Sequence, residues 1–265
     1  WTKNFLVFAA PLFNFQFEKN IFISSLAAFI IFSLISSSIY LLNDCIDLDS
    51  DKKHPRKKFR PIASGKISRK SAISFSIILV FLSIIISLQI NLILTIVILI
   101  YLLIQLFYCL WLKREPILDI FCIASGFLLR AIAGLVSSSL PNSPWFLLTI
   151  GLFSLFLAIE KRKAELTISN KNGITTRAVL KKYSLPLLLR YEILVSTSSF
   201  VTYSLWAAGP VLKGASTPLM MLTIPYVLIG IFRYQLLSDN DLLKNNSKLH
   251  KDILTERPEE ILLKD

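Results

Sequence analysis

Apolar residues run along this chain in long blocks, and most of the charge falls in the gaps between them. Eight blocks stand out, at roughly 4–17, 21–42, 71–90, 92–111, 117–137, 144–160, 186–208 and 217–237. Blocks of about 17–22 residues are long enough to cross a hydrocarbon layer of about 30 Å as helices. In lipid the backbone must satisfy its own hydrogen bonds, which leaves helices or a closed barrel. A barrel strand alternates polar and apolar residues, and these blocks do not. The pattern therefore predicts an all-α, polytopic transmembrane helix bundle, with residues 1–265 forming one intramembrane domain. Two polar loops interrupt it, at 43–70 and 161–185, and a polar tail follows the last block. No cleavable signal peptide is recognisable. The chain opens on Trp1-Thr2-Lys3-Asn4 and stops at Lys264-Asp265, so truncation at both ends is expected.

The distribution of charge gives the bundle a direction. With 54% hydrophobic residues and a net charge of +12, the chain is both greasy and basic. In a soluble protein such a charge would suggest nucleic acid. Here the cations sit between apolar blocks, so they read as topology signals and as partners for phosphate, and no nucleic acid is expected. If the chain alternates across the membrane, one side collects the cations of 52–70, Lys113, Arg114, the 161–190 region and the tail. The other side receives only Lys19 and Lys213. The positive-inside rule makes the rich side cytoplasmic, and the expected location is the plasma membrane. Trp111, Trp145 and Trp206 fall near block ends and are expected at the interface. Cys45, Cys109 and Cys122 lack metal-site spacing and read as packing residues.

Block two ends in Asn43-Asp44-Cys45-Ile46-Asp47-Leu48-Asp49-Ser50-Asp51. If the helix continues, Asn43, Asp47 and Asp51 share one face, with Asp44 beside them. Carboxylates so placed repel one another unless a cation neutralises them, and hard oxygen ligands suit Mg²⁺. The bland alternative is a solvated helix end. The adjoining residues favour the metal: His54-Pro55-Arg56-Lys57-Lys58-Phe59-Arg60-Pro61-Ile62-Ala63-Ser64-Gly65 is a basic, proline-braced loop. An acidic metal face next to such a loop suits a diphosphate, with Lys or Arg side chains binding oxygens that the ion leaves free.

The run Asn-Asp-x-x-Asp-x-x-x-Asp into His-Pro-x-Lys-x-x-Arg-Pro-x-Ala-x-Gly resembles the UbiA superfamily of intramembrane prenyltransferases. It is most similar to the superfamily's decaprenyl-phosphate phosphoribosyltransferase branch. Superfamily members usually place a second acidic pair at the end of the sixth block. Here that position reads Glu160-Lys161-Arg162-Lys163-Ala164-Glu165, a mixed cluster that suits a phosphate or a sugar hydroxyl. The Lys-Arg-x-Ala-Glu run and the stretch Thr176–Ser184, which contains Tyr183, again resemble that branch. Lys163, Lys171, Lys181 and Lys182 read as topology anchors. The superfamily usually has nine helices, so a ninth is expected beyond the eight visible blocks.

Two further cations are candidates. Arg130 lies inside block five, in Gly126-Phe127-Leu128-Leu129-Arg130-Ala131-Ile132-Ala133-Gly134, a pattern close to one that recurs in the branch. A charge at that depth needs an interior partner, so a structural contact and direct phosphate binding are both open. Asp119, eleven residues earlier, lies on a similar face. Trp1-x-Lys3-Asn4 resembles the family's entry segment and puts Lys3 at the cytoplasmic mouth, where snorkelling is the bland reading. His54 reads as a loop brace and His250 as solvated.

The resemblance implies an enzyme. A polyprenyl phosphate in the bilayer would attack C1 of 5-phosphoribosyl 1-diphosphate, and diphosphate would leave. Asn43, Asp44, Asp47 and Asp51 would hold Mg²⁺, with Asp44 and Asp47 central to catalysis. Lys161, Arg162, Glu165 and Tyr183 would position the ribose phosphate or the lipid phosphate. The alternative within the family is a prenyltransferase acting on an aromatic or quinone precursor, which should want the missing aspartate pair. A transporter would instead place ionisable groups near the bilayer midplane.

Overall fold

The computed structural model describes residues 2–53, 57–141, 143–172 and 178–238. Trp1, His54, His250 and the polar tail lie outside them. Every regular element among the described residues is helical. A 3₁₀ segment, Thr2–Phe8, leads into α1 (Ala9–Phe13). The long helices are α2 (Lys19–Ile46), α4 (Arg69–Ile90), α5 (Leu92–Leu110), α6 (Leu118–Ser137), α7 (Pro144–Asn172) and α8 (Leu185–Ala207). A short α3 (Leu48–Lys53) follows α2, and α9 (Ile224–Ser238) follows a 3₁₀ turn at Pro218–Thr223. Among the described residues, six helical stretches are long and apolar enough to cross a membrane: α2, α4, α5, α6, α7 and Pro218–Ser238.

Each predicted block corresponds to helix, but two differ in extent. The first block yields only the 3₁₀ segment and the five-residue α1, which is too short to span. Block six continues well past residue 160, to Asn172. Its polar extension stays helical because its charged side chains are buried against partners on other elements.

The chain resolves into two compact units, the first holding residues 1–113 and 129–141. Within it α2 packs on α4 and α5 around Ile31, Phe32, Ile35, Leu94 and Ile98, all fully buried. Ser38 and Ser76 meet across α2 and α4 at 2.8 Å. Small hydroxylated residues let transmembrane helices approach closely and satisfy one another. Local chemistry sets the helix ends. Ser68 caps α4 by accepting from the Ser71 amide, and Asn91 breaks α4 from α5 in an extended conformation while capping the Ile93 amide at 2.8 Å. The amino-terminal segment lies directly on α6: a Cβ at Gly134 would fall 1.8 Å from the Val7 carbonyl oxygen. Only glycine permits that approach.

The second unit holds 114–128 and 142–265. Here α7 packs along α8, which starts at the Ser184 cap with proline in its first turn. Trp206, expected at the interface, is instead buried against Tyr203 and Phe146. The turn after α8 folds back on it: the Ala215 amide donates to the Trp206 carbonyl at 2.7 Å. Trp111 is exposed and Trp145 half-buried.

Candidate active site

The end of α2 bends at Asp47, yet helical spacing survives the bend. The Asp47 amide donates to the Asn43 carbonyl and the Asp51 amide to the Asp47 carbonyl, both at 2.8 Å. Asn43, Asp44 and Asp47 are half-buried and Asp51 is buried, whereas Asp49 is exposed. The loop predicted to be basic returns to these acids. Arg60, on the turn after the 3₁₀ segment Lys57–Phe59, places one nitrogen, Nη1, 2.7 Å from Asp44 Oδ1 and 2.9 Å from Asp51 Oδ2. Lys57 is half-buried in the same segment. A cation not expected from sequence joins them: Lys113 Nζ sits 2.5 Å from Asp47 Oδ1. Lys113 follows α5 in a short turn, and its only signal in the sequence is a cation at the end of an apolar block.

Arg130 is 5% exposed and belongs to the same unit. Its Nε donates to Asn4 Oδ1 at 2.7 Å and an Nη to the Tyr101 hydroxyl at 3.2 Å. The guanidinium also lies over the Phe32 and Tyr101 rings. Asn4 in turn donates to Ser33 and Ser36 on α2. These contacts make Arg130 a pin between the amino-terminal segment, α2, α5 and α6. Lys3 is half-buried next to that pin.

The second cluster is a buried network in the second unit. Arg162 and Asp119 are both fully buried. Arg162 Nε donates to Asp119 Oδ2 at 2.5 Å, and a second nitrogen bonds Glu165. The other Asp119 oxygen accepts from the Tyr183 hydroxyl at 2.7 Å, and the Tyr183 oxygen accepts from the Ile117 amide at 2.6 Å. Burial, and then the hydrogen bond to the Asp119 carboxylate, push the Tyr183 phenol up, so it stays protonated as a donor. Arg162, Glu165 and Tyr183 thus come together as the sequence suggests, but their polar atoms serve one another, with Asp119 at the centre. Lys161, on the same turn, is half-buried.

Lys163 departs from expectation. Read as a topology anchor, it is in fact 8% exposed, with its ammonium 2.6 Å from both Glu160 and Glu192. Gln235 on α9 donates to the second Glu192 oxygen at 2.9 Å. One ammonium therefore joins α7 to α8, and the glutamine adds α9. Nothing in the linear spacing pairs residue 163 with residue 192. The surface lysines Lys181 and Lys182 remain exposed as expected.

Oxygen ligands at Asn43, Asp44, Asp47 and Asp51 fit a hard divalent ion in kind. As they stand, the carboxylates are spoken for by Arg60 and Lys113, and no three acidic, histidine or cysteine residues among those described are gathered as a metal centre. An ion there would share these carboxylates with those two cations.

Residues 5–251 match the model of the UbiA prenyltransferase family. The chain is 37% identical to a decaprenyl-phosphate phosphoribosyltransferase of Mycolicibacterium smegmatis, covering all of this chain and 83% of that one. It is also 37% identical to a protein of that name from Corynebacterium glutamicum, over 88% of this chain and 72% of the relative. In fold it is similar to a UbiA homolog from Archaeoglobus fulgidus bound to GPP and Mg²⁺, with a TM-score of 0.71 at 20% identity over 99% and 89% of the two chains. The acidic helix end, the basic loop that returns to it and these matches lead to one conclusion: the chain belongs to the UbiA prenyltransferase family of membrane-embedded transferases.

Proposed function

We propose that this protein transfers 5-phosphoribose from 5-phosphoribosyl 1-diphosphate to a polyprenyl phosphate, such as decaprenyl phosphate, and releases diphosphate. The observation that carries this reading is the mixed cluster at 161–165, found where superfamily members usually have a second aspartate pair, in a chain 37% identical throughout to a decaprenyl-phosphate phosphoribosyltransferase. Residues 1–265 serve as one transferase domain at the cytoplasmic face of the plasma membrane, where the cations gather.

In this reading a lipid phosphate oxygen forms the new bond to ribose C1, and the bond from C1 to the diphosphate oxygen breaks. The lipid phosphate is already a nucleophile, so no protein base is needed. Asn43, Asp44, Asp47 and Asp51 hold Mg²⁺, which when bound offsets charge developing on the leaving group. Arg60, Lys57 and Lys113 take diphosphate oxygens, giving the departing group fixed positive partners. Lys161 and Lys3 contribute cations toward the ribose phosphate or the lipid phosphate. Arg162, Glu165, Tyr183 and Asp119 position the turn that carries Lys161, and Arg130 fixes the segment that carries Lys3. Apolar helix surfaces hold the isoprenoid tail.

Purified protein, labelled phosphoribosyl diphosphate and polyprenyl phosphate should give a lipid-linked ribose phosphate in the presence of Mg²⁺, and Asp47→Ala should give none. Formation of a prenylated aromatic product from an isoprenyl diphosphate, with no ribose transfer, would establish the conventional prenyltransferase reading instead.

A further inference from the structure

The three carboxylates at the end of α2 are not an open acidic cluster. Asp44 and Asp51 converge on a single nitrogen of Arg60, and Asp47 turns to Lys113 at 2.5 Å. Both cations sit on short connections rather than inside long helices: Arg60 just after Lys57–Phe59, and Lys113 in the 3₁₀ turn Leu112–Arg114. Either side chain can therefore swing without breaking a helix. The Lys113 side chain is 12% exposed, so its attraction to Asp47 is weakly screened.

We propose that Arg60 and Lys113 are exchangeable counter-ions, which hold the carboxylates until a diphosphate draws them away, so that divalent cation and diphosphate bind cooperatively. The idea rests on the transferase reading above and adds an order to it. A divalent ion arriving alone competes with an ammonium and a guanidinium for the same oxygens. A diphosphate offers both cations several charged acceptors at once. Each cation that moves to the diphosphate leaves carboxylate oxygens open to the metal. By linkage the effect is reciprocal: bound metal raises diphosphate affinity by the same factor. The device keeps the site electrically balanced in the absence of substrate. Without it, buried Asp51 and half-buried Asp44 and Asp47 would carry uncompensated charge.

Mn²⁺ binding to the purified full chain in detergent, followed by electron paramagnetic resonance with and without inorganic diphosphate, tests this directly. With no diphosphate present, Lys113→Met should bind Mn²⁺ roughly tenfold more tightly than wild type, a coupling of the usual allosteric size. Lys66→Met, which removes an exposed lysine from the loop that carries Arg60, should keep the wild-type affinity. If Lys113→Met loses its fold, as judged by its melting curve, Arg60→Gln is read in the same way. Wild type that binds Mn²⁺ no more weakly than Lys113→Met and Arg60→Gln would overturn the counter-ion role and leave the transferase reading intact. Wild type that binds no Mn²⁺, with or without diphosphate, would bring down the metal site itself.

Discussion

The Tyr183 hydroxyl donates to Asp119 at 2.7 Å, and the opposite oxygen of the same carboxylate accepts from Arg162 at 2.5 Å. A loop residue, the first turn of α6 and the charged extension of α7 thus meet on one buried acid. The tyrosine is held as a neutral donor, and that has a measurable sign. An unfolded tyrosine ionises near pH 10, while burial and the Asp119 carboxylate push Tyr183 higher in the fold. Its contribution is fully present below about pH 10 and is lost as pH climbs toward the raised value. Melting temperatures should therefore fall above about pH 10 more steeply for wild type than for Tyr183→Phe.

Removing the acid is more damaging. Asp119→Asn leaves Arg162 fully buried and takes away one of its carboxylate partners. Breaking a buried pair from one side costs about 3–5 kcal/mol. Thermal unfolding in detergent should show a large loss, and Asp119→Asn combined with Arg162→Met should be less harmful than Asp119→Asn alone.

Arg60 serves two carboxylates through one nitrogen and retains further donors for a diphosphate. Lysine supplies a point charge without that planar fork. Arg60→Lys should keep the fold yet raise KM for the diphosphate substrate roughly tenfold or more, matching one lost charged hydrogen bond of about 1.5–3 kcal/mol. Steady-state kinetics beside a melting curve would separate the two effects.

Gly134→Ala places a methyl group against the Val7 carbonyl. The obstacle is backbone, so a side-chain rotation does not relieve it. A loss of at least about 1–3 kcal/mol is expected from overpacking, with faster proteolysis of the first fifteen residues as the local signature.

Much of this molecule is visible in its residue pattern. Outside the first and sixth blocks, block lengths place the helices within several residues, because hydrocarbon demands internal hydrogen bonding and leaves few alternatives. The acidic end of α2 and its basic loop are likewise legible, since Asp44, Asp51 and Arg60 lie close in sequence. What escapes is pairing across distance. Lys113 with Asp47, Arg162 with Asp119 and Lys163 with Glu192 each join residues from separate elements. Charge at a block end marks topology and buried pairing alike, so Lys163 reads as an anchor until the helices are packed. Block six shows the same effect: by composition it should end at residue 160, yet tertiary partners carry it to Asn172.

The turn of α7 from Glu160 to Glu165 is gripped from two directions. Arg162, also paired with Glu165, holds Asp119, while Lys163, also paired with Glu160, holds Glu192. Rotating the helix by one residue would tear both sets of contacts at once, so this stretch has a single permitted azimuth. Inserting one alanine between Leu157 and Ala158 should be lethal to folding, because these six residues act as the fixed bearing of α7.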